Sequence, residues 1–412
     1  MSGWQFIQNP GPTNLPDEIR AALARPATDF GAPAFAELLA GCLRDLGALL
    51  DLDPAGELYL HTASGHGGWE AALVNLFEPG EVVLAPDQGR FSRAWGDMAT
   101  ALGLEVRWLE ADWRRALPPE RLAAALAADR TGEIAGVLLV HTETATGVTN
   151  DVAGLVAALR GSGHRALALV DAVASFGTTE LACAAWDLDV VVTASQKGLM
   201  LAPGLAIVAA GPRAVQRAMR VRRPRSYWAW PHRNDTDVYH RFAGTPPVQL
   251  VFALRAGLDL LAAEGLPAVI ARHHRLAGAV RGAVEHWSGA GGLRCYASHP
   301  TERADAVTCV ELLGGQDPVA VRRQLRERWH VSIGGGLSRL AGTTFRVGHL
   351  GALNEPMILG VLAALEGALP ECGVPITEGG VVTAIGGLRA PTAPRAVGGS
   401  SVTSGGGSDA TR

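Results

Sequence analysis

Val190-Val191-Val192-Thr193-Ala194-Ser195-Gln196-Lys197 is the stretch on which the fold turns. Three valines and a threonine are stiff at χ1 and suit a strand. A run that is apolar at every position, not at alternate ones, predicts a strand buried on both faces, as in a parallel sheet covered by helices. The run ends in polar residues and delivers Lys197 to the C-terminal end of that strand. Lys197 is the single lysine among 36 Lys and Arg. A codon bias toward Arg, Ala and Gly accounts for the missing lysines but not for the one kept, because Arg carries surface charge equally well. What Arg cannot do is lose its proton and attack a carbonyl, so Lys197 is a candidate for Schiff-base chemistry.

Working outward, short apolar runs alternate with helical patterns from Leu58 to about Ala210, the rhythm of a mostly parallel sheet between two helix layers. Strands are expected at Leu58–His61, Val82–Ala85, Glu105–Leu109, Gly136–His141, Leu167–Asp171, Val190–Thr193 and Ala206–Ala209. Helices are expected at Trp69–Leu76, Pro119–Ala128 and Val152–Leu159. After Gly211 the rhythm changes. The basic, aromatic stretch Arg220–Phe242 reads as a long ordered loop, and a helical pattern then runs from Pro247 to His286, broken near Gly265 and Pro267. Gly292–Leu369 reads as a smaller α/β domain. From Gly379 the Gly, Ser, Thr, Ala and Pro content predicts a disordered tail.

The chain of 412 residues carries a formal net charge of −4 with a pI near 6.3, which argues against nucleic acid or an acidic membrane surface as the main partner. Five cysteines without metal-like spacing point to reduced thiols in a cytoplasm. The N-terminus lacks a basic head and a long apolar run, so no signal peptide is expected. The longest apolar stretches are short and interrupted by charge, so no membrane span is expected. His273-His274 lies in an Arg-rich helical pattern and is expected to be solvated, not a metal pair. Trp108 and Trp113 are expected to be packing residues.

Three further features belong with Lys197. Ser64-Gly65-His66-Gly67-Gly68 follows a strand and opens a helix, so its free N–H groups and the helix dipole can receive a phosphate. Asp171 ends the run Ala166–Val170 at the strand edge where open α/β sheets bind ligands. A carboxylate there can pair with a protonated pyridine nitrogen or simply cap the next segment. Arg346, in Thr344-Phe345-Arg346-Val347-Gly348-His349, is an arginine in an apolar strand, where it grips a substrate carboxylate or pairs with a core acid. Ser195 and Gln196 are suited to phosphate oxygens.

These motifs, with Asn9-Pro10-Gly11-Pro12-Thr13-Asn14, Glu143-Thr144-Ala145-Thr146-Gly147, Val170–Ser175, Gly244-Thr245-Pro246-Pro247 and Gly335-Gly336-Leu337, make the chain resemble the class V, fold-type I pyridoxal-phosphate aminotransferases over roughly Gln8 to Leu369. Within them it resembles the alanine:glyoxylate and serine:glyoxylate branch. The resemblance implies a large domain with a mostly parallel sheet and a smaller C-terminal α/β domain. The segments are then 1–20 (an N-terminal piece of the active site), 21–255 (large domain), 256–378 (small domain) and 379–412 (tail). It implies pyridoxal 5'-phosphate bound covalently by Lys197, with Asp171 on the ring nitrogen. Ser64, Gly65, His66 and Gln196 fall on the phosphate side, Phe91 stacks on the ring and Thr144 lies near the phenolic oxygen. It further implies Arg346 and Gly11 on the substrate side, and Thr245 reaching the phosphate of a neighbouring subunit in a homodimer with shared sites.

The implied reaction moves an amino group from a small amino acid of alanine or serine type to an oxo acid such as glyoxylate or pyruvate, in ping-pong fashion. A lyase, aldolase or racemase of the same fold would share every cofactor residue. A desulfurase would need a mobile nucleophilic Cys, and Cys295 and Cys309 read as core. Gly31, where relatives carry an arginine, Phe242, where a tyrosine is common, and the stretch Tyr227–His232 depart from the branch pattern, and substrate choice is expected to turn on them.

Overall fold

A computed structural model of the chain describes residues 5–231, 233 and 235–389. Its strands are β1 (Phe6–Gln8), β2 (Glu57–Ala63), β3 (Val82–Asp87), β4 (Glu105–Glu110), β5 (Ile134–Val140), β6 (Thr142–Glu143), β7 (Val148–Thr149), β8 (Leu167–Asp171), β9 (Val190–Ala194), β10 (Gly204–Ala210), β11 (Leu293–Cys295), β12 (Val307–Leu312), β13 (Val331–Gly335) and β14 (Thr344–Gly348). The helices are α1 (Asp17–Leu23), α2 (Pro33–Leu49), α3 (Gly65–Leu76), α4 (Arg90–Ala101), α5 (Pro119–Ala128), α6 (Val152–Gly161), α7 (Pro212–Ala218), α8 (Val238–Phe242), α9 (Val248–Glu264), α10 (Leu266–Trp287), α11 (Pro318–Arg328), α12 (Glu355–Glu371) and α13 (Gly380–Arg389).

Seven strands form one sheet in the order β2-β10-β9-β8-β5-β3-β4, and each expected strand of the Leu58–Ala210 region is present. β10 runs antiparallel to both its neighbours, β2 and β9; β9, β8, β5, β3 and β4 are parallel to one another. The sheet is buried on both faces. Leu39 of α2, Leu122 of α5, Leu155 of α6 and Leu254 of α9 join one core cluster, while Trp69 and Leu73 of α3 and Trp95 of α4 join the other. Helix α3 lies unusually close to the sheet at Gly68, where a Cβ would stand 2.6 Å from Val192 Cγ1. That contact pins the N-terminus of α3 to the strand that leads to Lys197.

A second sheet, β1-β13-β14-β12-β11, packs its apolar face on α10, α11 and α12 around a separate core that includes Val321, Phe345 and Leu362. The N-terminal strand β1 is parallel to β13 and thus belongs to this smaller sheet. The boundary expected at 255/256 falls inside α9. The large core extends to Val269 and the small core begins at Leu276, so α10 is the element shared by both.

Three expectations are corrected. Residues 380–389 of the expected tail form α13, because Glu366 of α12 receives the N–H groups of Gly379 and Val381 and so caps it from outside (2.7 and 2.8 Å); residues 390–412 lie outside the described residues. The 220–242 stretch is not all loop: it contains a 3₁₀ turn at Ser226–Trp228 and helix α8. It is anchored by Asn75, which donates to the Trp228 carbonyl (2.7 Å) and accepts from the Trp230 N–H (3.0 Å), and by Trp230 stacked on Tyr59 at 4.7 Å. His232, in the same stretch, is outside the described residues. His273 is buried, not solvated: Nε2 accepts the Gly351 N–H (3.0 Å), so Nδ1 donates to the Val269 carbonyl (2.7 Å). His274 is paired with the buried Asp305 at 3.0 Å. Among the described residues no helix is long and apolar enough to cross a membrane, and no cluster of three or more His, Cys, Asp or Glu could hold a metal ion.

Candidate active site

The parallel register fixes the centre of the site. Asp171 pairs with Val140 of β5 and with Val192 of β9, so it stands at the C-terminal edge of the sheet, and Lys197 follows β9 on that same edge. Asp171 is buried. Its Oδ1 accepts the Val173 N–H at 2.7 Å. Burial pushes its carboxyl up to about 7, with repulsion from Glu143 adding to the rise and Val173, Lys197 and the otherwise unpartnered indole N–H of Trp69 opposing it. A carboxylate held this reluctantly in the charged form suits a cationic partner.

Lys197 is part-buried and donates from Nζ to the Pro10 carbonyl. Burial, and next the charge of Arg346, bring its ammonium from 10.5 down to about 8, while Asp171 pulls the other way. A lysine tuned to this range holds a useful share of neutral, nucleophilic amine near neutral pH. Gly11 lies directly against it, with φ +95° and no room for a side chain.

The Ser64–Gly68 turn opens α3 with Ser64 at the N-cap, and no side chain caps the first-turn N–H groups. Ser64 and His66 are exposed. Gln196 carries a buried side-chain oxygen without a partner, as does Thr13 beside it, whose N–H meets the Gln196 carbonyl at 3.3 Å. Phe91, in the first turn of α4, forms an aromatic wall with His66 (6.3 Å) and Trp69 (6.4 Å), and Trp69 stacks on Trp95 at 5.5 Å.

Arg346 reaches this edge from β14. It is 8% exposed, donating from Nε to the Gly335 carbonyl (2.7 Å) and from Nη1 to the Thr144 carbonyl (3.2 Å). Among the described residues it has no carboxylate within ion-pair distance, so the alternative of a structural ion pair is not met. Its pKa is lowered, mainly by burial.

Not every expected residue joins the cluster. Thr245 is exposed on the turn before α9 and shares no recorded hydrogen bond with the others. The Ser195 hydroxyl is spent on its own turn, donating to the Ala202 carbonyl (2.8 Å) and accepting the Leu205 N–H (3.2 Å), so it is not free for a phosphate. Phe242 packs in the large core, and Gly31 sits ahead of α2, its N–H on Asp29. All five cysteines are free, and burial pushes Cys295 to about 11 and Cys309 to about 12, which makes them poor nucleophiles. Glu143, treated in the sequence only as part of a motif, turns out to be a fully buried acid at the same edge. Its signal was an acid three residues past the apolar run Ile134–Val140, where an unmet charge would be costly.

The model of the family described as "Aminotransferase class-V" matches residues 48–346. The chain belongs to the class-V aminotransferases. It is 38% identical over 375 residues to the L-aspartate–glyoxylate aminotransferase of Paracoccus denitrificans, covering 91% of this chain and 93% of that one. It is 39% identical over 372 residues to the serine–glyoxylate aminotransferase of Hyphomicrobium methylovorum, covering 90% and 91%. Among solved structures, the ureidoglycine–glyoxylate aminotransferase of Bacillus subtilis superposes with a TM-score of 0.85 at 26% identity, over 94% of this chain and 98% of that chain. This class-V aminotransferase is an enzyme of fold type I, and its cofactor is pyridoxal 5'-phosphate.

Proposed function

We propose that the enzyme moves the amino group of a small amino acid, of alanine or serine type, to glyoxylate, with Lys197 and Asp171 as its catalytic residues. The observation that carries this reading is the convergence of three groups on one sheet edge: a lysine brought down to about 8, a carboxyl pushed up to about 7, and a buried arginine without an acid partner. Glyoxylate as acceptor is supported by the names of all three relatives cited above.

The residues fit the cofactor. The uncapped first turn of α3 with Ser64, Gly65 and His66 would hold its phosphate, with the side-chain NH2 of Gln196 as a further donor. Phe91 would stack on its ring, Thr144 would serve the phenolic oxygen, and Asp171 would meet the ring nitrogen, whose positive charge answers the strained burial of the carboxyl. When bound, the cofactor supplies an electron-withdrawing ring that stabilises negative charge at the carbon next to the amine. The remaining work belongs to the chain. Arg346 grips the substrate carboxylate with its planar fork and so fixes which bond at the α-carbon faces Lys197. Neutral Lys197 Nζ would remove the α-proton and, now protonated, would give it up on the cofactor side of the amine nitrogen, so that the same side chain serves as base and then as acid; Gly11 leaves space for it to move. The same residues act in reverse on the oxo acid.

A homodimer is part of this reading. It is supported by Thr245, whose exposed position in one chain leaves it free to face a partner's site, and by exposed Phe6, Ile7, Tyr227 and Tyr239. Five free thiols are compatible with a reducing cytoplasm. Near-visible spectra of the purified protein, with single amino acids added in turn, test the assignment. Loss of the cofactor band with oxo acid released is the expected result. A band that survives Lys197→Ala unchanged, or spectral change without oxo acid, refutes it. Sedimentation tests the dimer.

A further inference from the structure

We infer that Glu143 is a positioning residue of this site, holding the aromatic wall and the substrate-side arginine in one rigid unit through hydrogen bonds to α4 and to its own hairpin. The inference rests on the proposed function, since it concerns how the cofactor ring is received.

Glu143 ends β6, just beyond the sheet edge where Asp171 emerges, and is 0% exposed. A buried acid has to be met by donors, and this one is met by three. One oxygen, Oε2, accepts the N–H of Phe91 (2.9 Å) and of Ser92 (3.1 Å), and Oε1 accepts the N–H of Ala145 (3.0 Å). Burial pushes this carboxyl up from its ordinary value, and the three amides and the charge of Arg346 work against that rise by favouring the ionised, accepting form.

Two of those donors are first-turn amides of α4, whose own N-cap is Gly89 and offers no side chain. Glu143 thus caps α4 from another element. The approach is possible only because position 89 is glycine: a Cβ there would lie 2.2 Å from Glu143 Cγ. A cap serving the helix alone would be supplied by Ser, Thr, Asp or Asn at position 89. Supplying it from β6 ties the backbone of Phe91 to the hairpin that carries Thr144.

The other end of the unit is Arg346. The carbonyl of Thr144, the next residue, accepts Nη1 of Arg346 at 3.2 Å, and the same hairpin meets the small domain again where the Ala304 N–H reaches the Gly147 carbonyl (2.9 Å). Two adjacent residues therefore set the place of Phe91 on one side and of the guanidinium on the other. The Glu143 charge also faces both Arg346 and Asp171.

The test uses full-length Glu143→Gln, which keeps the shape but turns an N–H donor toward donors. Titration of cofactor-free protein with pyridoxal phosphate, followed by absorbance, gives the dissociation constant, and hydrogen exchange gives the protection of the Phe91 and Ser92 amides with α6 as internal reference. The constant should rise at least tenfold, the two amides should exchange at least tenfold faster, and α6 should not change. Phe91→Leu should also weaken binding, and the double variant should be no weaker than the worse single one. If Glu143→Gln does not fold, Gly89→Ala, which displaces the same carboxylate, should reproduce both effects. Unchanged amide exchange, or losses that multiply in the double variant, overturn the inference. A wild type that binds pyridoxal phosphate while Glu143→Gln binds it equally well overturns this inference alone, whereas a wild type that binds none takes the proposed function down with it.

Discussion

The Cβ that Gly11 lacks would stand 2.5 Å from Nζ of Lys197 and 2.6 Å from its Cδ and Cε. With φ at +95°, the backbone there is also one that side chains rarely adopt. The glycine is thus required twice, once for the turn and once for the lysine. Gly11→Ala should abolish most of the cofactor band, with a fall in turnover on the order of 100-fold or more from misplacement of the amine. Melting should change much less, since the clash falls on the far end of one flexible side chain and not on the backbone of either core. Absorbance and thermal unfolding of the same preparation check both, and an Ala variant with a normal band and normal turnover contradicts the contact.

Asp171 and Lys197 make the cofactor-free chain respond to pH in opposite ways. Burial raises Asp171 from 3.8 to about 7, so between those values the folded chain keeps a proton that the unfolded chain has released, and stability falls as pH rises through the window. Lys197 is lowered from 10.5 to about 8, so between those values the unfolded chain holds the extra proton, and stability climbs with pH. Asp171→Asn should therefore stabilise the cofactor-free protein at pH 8 relative to wild type by more than it does at pH 4, while cofactor binding is lost. Urea unfolding at the two pH values is the measurement. An equal effect at both would show that the carboxyl titrates normally.

Those two residues also show why the site was readable in part. Asp171 and Lys197 each follow an apolar run buried on both faces, and such runs announce strands without help from the rest of the chain. The shared edge follows from parallel order alone. What the sequence did not disclose were roles assembled across distance. Glu143 caps a helix that begins at Arg90, and Asn75 holds Trp228 and Trp230, 153 and 155 residues away. Ser195 looked like a ligand because it is polar and two residues before Lys197, but a tight turn took its hydroxyl first.

Among the described residues Arg346 donates to two backbone carbonyls and has no carboxylate within ion-pair distance, so its remaining N–H groups are left for a ligand. Arg346→Gln should raise KM for both amino acid and oxo acid by roughly 100-fold or more, the scale of a truncated buried charge contact. Affinity for pyridoxal phosphate should stay near wild type. Arg346→Lys should not rescue, because an ammonium cannot present the planar two-pronged fork. Steady-state kinetics with each substrate varied, beside a cofactor titration, separate the two effects. A loss confined to cofactor affinity would assign Arg346 elsewhere.

Glu366 is the fastening of α13, and the helix should depend on it. Its Oε1 accepts the Gly379 N–H (2.7 Å), and its Oε2 accepts the Val381 N–H (2.8 Å) and the Trp287 indole N–H (3.1 Å). Gly380 lets the chain pass Trp287, since a Cβ there would meet its Nε1 at 2.1 Å. Burial pushes the Glu366 carboxyl up, but the Gly379 and Val381 amides, Trp287 and His286 together outweigh it, and the net pKa lies below 4.5. Its contribution is present above that value and is lost as pH falls through the lowered folded value. Glu366→Ala, which leaves three donors short of a charged acceptor, should cost on the order of 3 kcal/mol at pH 7. The gap from wild type should narrow below pH 4, as the wild-type carboxyl becomes protonated. Faster exchange of the amides of α13 than of α12 should accompany it. Uniform destabilisation of both helices, or a gap independent of pH, would mean that packing on Trp287 alone retains the segment.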